Sequence, residues 1–139
     1  MRGKEPARRL EIRIANEFTS IGNVDSRFRT YQIYFHLRYS SLITVGRLGA
    51  FEFEGGDYVY TGSAVRNIAA RVRRHLRKEK KLKWHIDYLL TNSDARIKKV
   101  LLSTLSECQL NKNTAGHIVI PGFGASDCKS HCVSHLKKL

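Results

Sequence analysis

Arg71 and His75 stand four residues apart, a spacing that brings two side chains to one side of a helix, and they pair a permanent cation with an imidazole that titrates near neutrality. The residues in front of them supply a plausible frame. Tyr58-Val59-Tyr60 alternates like a strand, and Gly62-Ser63 has turn chemistry. From Ala64 onward Val65, Ile68, Val72 and Leu76 recur at helical spacing. The spacing predicts strand, tight turn and helix, with Ser63 as N-cap and Gly62 permitting close backbone approach. A helix start of that kind attracts phosphate, and Arg71 and His75 are expected beside the apolar stripe rather than within it. Each piece taken alone is also an ordinary strand–turn–helix with a solvated polar face. Their order is what suggests chemistry.

The rest of the chain says what partner such a site would serve. With 25 Lys+Arg against 12 Asp+Glu in 139 residues, the formal net charge is +13, a field that favours a polyanion, nucleic acid first and an acidic membrane second. No apolar run approaches the roughly 20 residues of a membrane span, and the N-terminus lacks the apolar core of a signal peptide. A cytoplasmic protein without a membrane partner is therefore expected. Three cysteines, all in the last third, make a poor disulfide framework in such a compartment.

The elements that must position the site follow from periodicity. Leu10, Ile14, Ala15 and Phe18 sit at helical spacing, which predicts an amphipathic helix over 6–18 within an N-terminal helical extension, 1–28. Tyr31, Ile33, Phe35 and Leu37 alternate as a first strand, Leu42–Val45 makes a second, and short extended pieces around Phe51 and Phe53 lead to the strand ending at Tyr60. Close, turn-linked strands predict an antiparallel meander. Beyond the Arg71 helix, Trp84–Leu90 reads as a helix, Ile97–Leu102 as a strand, Leu105–Leu110 as a helical turn or two, and His117–Ile120 as a strand broken by Pro121-Gly122. The expected class is α/β in the broad sense, α+β, with a small antiparallel or mixed sheet flanked by helices and residues 29–139 as the working domain.

Taken together, Tyr60-Thr61-Gly62, the following Ser-Ala and the helix with Arg71 and His75 resemble the second half of a GIY-YIG nuclease module. Arg29-Thr30-Tyr31 occupies the place of its first motif, with Tyr31 matching the tyrosine, although Arg29 replaces the glycine and Thr30 the isoleucine. Arg71 also lies one residue further from Gly62 than is usual in that superfamily. Val45-Gly46-Arg47-Leu48-Gly49, Trp84-His85-Ile86-Asp87-Tyr88, Glu107-Cys108 and the stretch from Pro121 to Cys128 look like a prokaryotic, archaeal and bacterial, branch of domains of unknown function within the superfamily, standing alone or fused to DNA-repair enzymes.

The resemblance implies a metal-dependent DNA endonuclease, structure-specific and related to repair or recombination, with a repair protein as a possible partner. Glu107 would hold Mg²⁺ or Mn²⁺, with Asp87 and then Asp127 as alternative ligands. Arg71 would neutralise charge on the scissile group, and Tyr60 would orient water or phosphate. Tyr31 and His75 compete as general base. A free phenol titrates near ~10 and imidazole near ~6.5, but the resemblance puts Tyr31 on the strand facing Tyr60 with His75 free to hydrogen-bond it, which favours Tyr31. DNA would be gripped by Gly62, Ser63, Arg66, Arg73, Arg74, Arg77, Lys78, Lys80, Lys81 and Lys83, the basic run tracking the backbone without sequence preference. The alternative from another class is a non-catalytic nucleic-acid-binding module, since charge alone demands only binding.

One further constellation stands apart. Cys128, His131, Cys132 and His135 have spacings that a zinc site could use, with Cys108 or His85 as additions, though no paired C-x-x-C elements occur and buried free cysteine is common.

Overall fold

A computed structural model describes residues 8–13, 26–124 and 132–139. Its frame is a six-stranded antiparallel sheet in the order β1-β6-β2-β5-β8-β7, built from β1 (Arg9–Arg13), β2 (Thr30–Leu37), β5 (Gly56–Ser63), β6 (Ala95–Ser103), β7 (His117–Ile118) and β8 (Leu136–Lys138). A separate hairpin, β3 (Ser41–Val45) and β4 (Gly49–Phe53), is joined by a single 3-10 turn at Gly46–Leu48. Three helices complete the α+β fold: α1 (Ile68–Leu76), α2 (His85–Leu90) and α3 (Glu107–Lys112). No helix among the described residues is long and apolar enough to cross a membrane.

The centre of the sheet is β2, whose branched and aromatic residues suit a pleated, covered surface. Tyr31, Ile33, Phe35 and Leu37 turn to one side and are all essentially buried. They pack with Tyr58, Val72, Ile86, Leu89, Leu90, Val100 and Phe123 into one core. Tyr31 pairs with Gly62 and Ile33 with Tyr60 across the β2–β5 ladder. The two motif segments therefore lie side by side, with Tyr31 opposite the glycine.

Several expectations need correcting. Residues 9–13 form a strand, not a helix, because Leu10 and Ile12 alternate with Arg9, Glu11 and Arg13, and this period of two lets the segment pair along β6. The remaining residues of 6–18 lie outside the described ones. The strand order is also not a meander: β3 and β4 leave the main sheet, and β6 returns to the free edge of β2. Gly62 and Ser63 are the last residues of β5 rather than a turn. The N-cap of α1 is Asn67, in left-handed conformation at φ 48°, whose side chain accepts from Ala70 N at 3.1 Å. Finally, His75 lies inside the buried stripe of α1 with Ile68 and Val72, not on a solvated face.

Candidate active site

The outcome of this register is a cleft of about 500 Å³ above the ends of β2 and β5. Tyr31, Tyr60, Gly62, Ser63, Arg71 and Glu107 line it together with Lys83, Trp84, His85, Gly124 and His135. Tyr31, Tyr60, Arg71 and Glu107, spread over 77 positions of sequence, thus share one wall-to-wall space. His75, the fifth candidate, sits immediately behind Tyr31.

Tyr31 Oη and His75 Nε2 are 2.6 Å apart, and the imidazole is only 1% exposed. Three aromatic rings enclose it, with centroids at 5.2 Å for Tyr31, 6.2 Å for Tyr60 and 5.5 Å for Trp84. Burial, reinforced by the Lys80 ammonium, pushes the imidazole down to about 3, so His75 is neutral. Burial also pushes the Tyr31 phenol well up, with Tyr60 adding to the rise and Arg71 opposing it. We assign the phenol O–H as donor to His75 Nε2, which places the remaining ring proton on Nδ1. Among the described residues Nδ1 has no hydrogen-bond partner.

Gly62 explains why this contact is possible. A Cβ there would lie 2.6 Å from both Cζ and Oη of Tyr31, so any side chain would drive the phenol off its place. Gly124 does the same service for Tyr60: its φ is +66° and a Cβ would meet Tyr60 Cε1 at 2.9 Å.

The opposite wall is built by α3. A Ser106–Gln109 capping box starts the helix and sets Glu107 in its first turn, facing the cleft. Burial of Glu107 works to raise its pKa, but hydrogen bonds with His135 and Ser63 and the nearby Arg71 charge outweigh it, and the carboxylate stays below its ordinary range. His135 Nδ1 lies 2.7 Å from Glu107 Oε1. Tyr60 is raised by burial and then by Glu107, and remains a phenol.

Arg71 closes the third side. One guanidinium nitrogen donates to Ser63 O at 3.1 Å, and the group lies 4.7 Å from the centroid of Trp84. Arg74 and Lys83 also lie against that indole, at 4.3 Å and 5.3 Å.

The basic residues divide into two sets. Arg66, Arg73, Arg77, Lys81 and Lys83 are exposed. Arg74, Lys78 and Lys80, of which Lys78 is also exposed, make contacts that hold the fold. Arg74 forks onto both oxygens of the fully buried Asp87 at 3.0 and 2.9 Å. Lys78 donates to the carbonyls of Leu90 at 3.1 Å, Asn92 at 2.9 Å and Ala95. Lys80 donates to the carbonyls of Arg74 and His75 at 3.1 and 2.7 Å, satisfying the end of α1. Lysine side chains reach such carbonyls through flexible stems, which no spacing in the sequence advertises.

Asp87 is corrected as a metal ligand for the same reason. Besides Arg74, it accepts from the backbone N–H of Lys83 and Trp84, both at 2.9 Å, so its oxygens serve as the start of α2. Asp127, Cys128 and His131 lie outside the described residues.

Two cleft residues, Trp84 and Gly124, escaped the site reading from sequence, and two more, His85 and His135, were read only as zinc candidates and not as part of this cleft. His85 Nδ1 accepts from Gly124 N at 2.9 Å, which leaves the ring's proton on Nε2. His135 is delivered by β8, a strand of three residues that is too short for alternation to reveal. The usable signal was the pair Ser134-His135 close to the histidine- and cysteine-bearing stretch.

No curated protein and no solved structure matches the chain. A family match does, from the first residue of β2 to the C-terminal residue, and so takes in every residue of the cleft. Over residues 30–139 the sequence matches the family described as Domain of unknown function DUF123, and the chain belongs to that family.

Proposed function

We propose that the chain is a metal-dependent DNA endonuclease of the GIY-YIG kind, acting on branched or otherwise structured DNA in a repair setting. The observation that carries this reading is the convergence of Tyr31, Tyr60, Arg71 and Glu107 on one cleft, with His75 buried behind Tyr31 at 2.6 Å. Phosphodiester hydrolysis needs an activated water, charge neutralisation at the phosphoryl oxygens and help for the departing 3′ oxygen. The cleft offers a residue for each.

Glu107 suits a magnesium-class cation. It is a hard oxygen donor, ionised, and contacted by His135 at Oε1, and such cations take one or two carboxylates along with waters and phosphate. Bound there, Mg²⁺ or Mn²⁺ would supply Lewis-acid charge to the phosphate and the leaving oxygen.

His75 cannot reach a water in the cleft, whereas Tyr31 can. Because Tyr31 donates to His75, its oxygen lone pairs face the cleft side, which makes it the acceptor for the water proton. As the water oxygen attacks phosphorus and the bond to the 3′ oxygen breaks, Tyr31 takes that proton while its own passes to His75 Nε2. Arg71 neutralises the phosphoryl oxygens, and the protonated Tyr60 donates to water or phosphate. The exposed Arg66, Arg77, Lys81 and Lys83 would follow the DNA backbone.

The test is cleavage of labelled branched, flapped and single-stranded DNAs with and without Mg²⁺ or Mn²⁺. Glu107→Gln is expected to lower metal-dependent cleavage by at least about 10³-fold with DNA affinity nearly unchanged. Binding without cleavage by the unaltered chain under all these conditions would leave a nucleic-acid-binding module.

A further inference from the structure

We propose that Cys108, Cys132 and His135 bind one zinc-class divalent cation, at a site that shares His135 with the Glu107 wall of the cleft. The inference rests on the cluster itself and stands whether or not the chain cleaves DNA.

One ligand atom from each of the three residues lies within 4.8 Å of the others. Zinc bonds of about 2.3 Å to sulfur and about 2.0 Å to nitrogen, in tetrahedral geometry, put ligand atoms roughly 3.5–3.8 Å apart. Closing the difference asks only for rotation about cysteine and histidine side-chain torsions. The donor set, two thiolates and an imidazole, is one that selects zinc over magnesium. Three protein ligands leave the fourth tetrahedral position to water or another donor.

The backbones that carry the ligands are clamped together. Cys108 is on α3, and Cys132 and His135 are on the segment entering β8. The buried Asn111 of α3 donates from its side chain to Ser134 O at 2.8 Å, His135 N donates to Phe123 O at 2.9 Å, and Thr61 N donates to His135 O at 3.0 Å. The frame is thus set by hydrogen bonds that do not involve the proposed ligand atoms.

His135 completes the argument. Its Nδ1 faces Glu107 Oε1 at 2.7 Å, and we assign Nε2 as the coordinating atom. A metal-bound histidine whose other nitrogen donates to a carboxylate is a recurrent arrangement that fixes ring and tautomer. Both thiols release their protons to solvent on binding.

The experiment uses the full chain, reduced and stripped with chelator, titrated first with Co²⁺ and then with Zn²⁺. One Co²⁺ per chain with a thiolate-to-cobalt charge-transfer band is expected, displaced by one equivalent of Zn²⁺. Cys108→Ser and Cys132→Ser are each expected to roughly halve the band and to weaken Zn²⁺ by about 10²-fold or more. Glu107→Gln should keep the band and weaken Zn²⁺ by about 10–100-fold, the usual loss when a histidine's outer partner is removed. Absence of the band in the wild-type chain overturns the proposal, and so does a full-intensity band in a folded Cys108→Ser chain. Should a serine variant fail to fold, the wild-type stoichiometry and spectrum still decide.

Discussion

The two walls of the cleft differ in depth, Tyr31, Tyr60 and His75 being buried and Glu107 half-buried, and they end in opposite charge states. On the wall of β2, β5 and α1, burial pushes Tyr31 and Tyr60 up and His75 down, and all three are neutral. On the α3 wall, burial acts on Glu107 in the same sense, toward neutrality, but hydrogen bonds with His135 and Ser63 outweigh it and the group is ionised. Desolvation is the leading cause on the first wall, and directed donors decide the second. In the proposed reaction one side would hold and pass protons, and the other would hold a cation. Arg71, which donates to Ser63 O and whose charge acts on both Tyr31 and Glu107, couples them.

The largest expected effect breaks the proton wall without touching the other. Tyr31→Phe removes the oxygen that faces the cleft while keeping the ring over Gly62, and single-turnover cleavage should fall by roughly 10²–10⁴-fold. Binding of Mn²⁺, read by its paramagnetic effect on the chain, should be unchanged. Near-wild-type rates in this variant would remove Tyr31 from the base role.

A smaller effect displaces the phenol rather than deleting its hydroxyl. In Gly62→Ala the new Cβ would begin 2.6 Å from Tyr31 Oη, and relief of such overpacking typically costs about 1–3 kcal/mol. The denaturation midpoint should drop accordingly, and cleavage should fall by less than in Tyr31→Phe. An unchanged midpoint would mean that Tyr31 yields easily and that the glycine has another purpose.

The two walls also differ in how legible they were. The alternation of Tyr31, Ile33, Phe35 and Leu37 predicts a strand with its inward face, and pairing it with the Tyr60 strand is enough to place Tyr31, Tyr60 and Gly62 together. The period-two pattern gives the strands, and the resemblance to the GIY-YIG module implies their pairing. The turn assignment at Gly62-Ser63 failed because Gly and Ser are turn formers by propensity, while the long ladder with β2 keeps them extended. The burial of His75 was hidden because helical spacing gives a face but not the depth of what covers it. On the α3 wall almost everything depends on contacts distant in sequence, such as His135 with Glu107 and Asn111 with Ser134. A strand as short as β8 has no pattern to read. Residues 9–13 failed in the other sense, since helical spacing and strand alternation both fit Leu10 and its neighbours until β6 offers its edge.

The smallest effect concerns stability rather than rate, and it separates the walls by pH. The unfolded imidazole of His75 titrates near ~6.5, whereas in the folded chain it is held down to about 3. Between these values the unfolded chain binds a proton that the folded chain refuses, so stability is fully present above ~6.5 and is lost as pH falls. Glu107 is also held low, but its unfolded value lies near ~4.3, so its contribution is lost only below that. From pH ~6.5 to ~4.5 the slope therefore belongs to histidine alone. His85, lowered by burial as well, adds to the same window, and the difference between wild type and His75→Gln isolates His75. Glutamine keeps an acceptor for Tyr31 and does not titrate. Over that interval the wild-type chain should lose roughly 2 kcal/mol more than the variant, measured by urea unfolding at each pH. Parallel curves would mean that His75 titrates in the folded chain as it does unfolded, so that it would not be held neutral behind Tyr31 as pH falls.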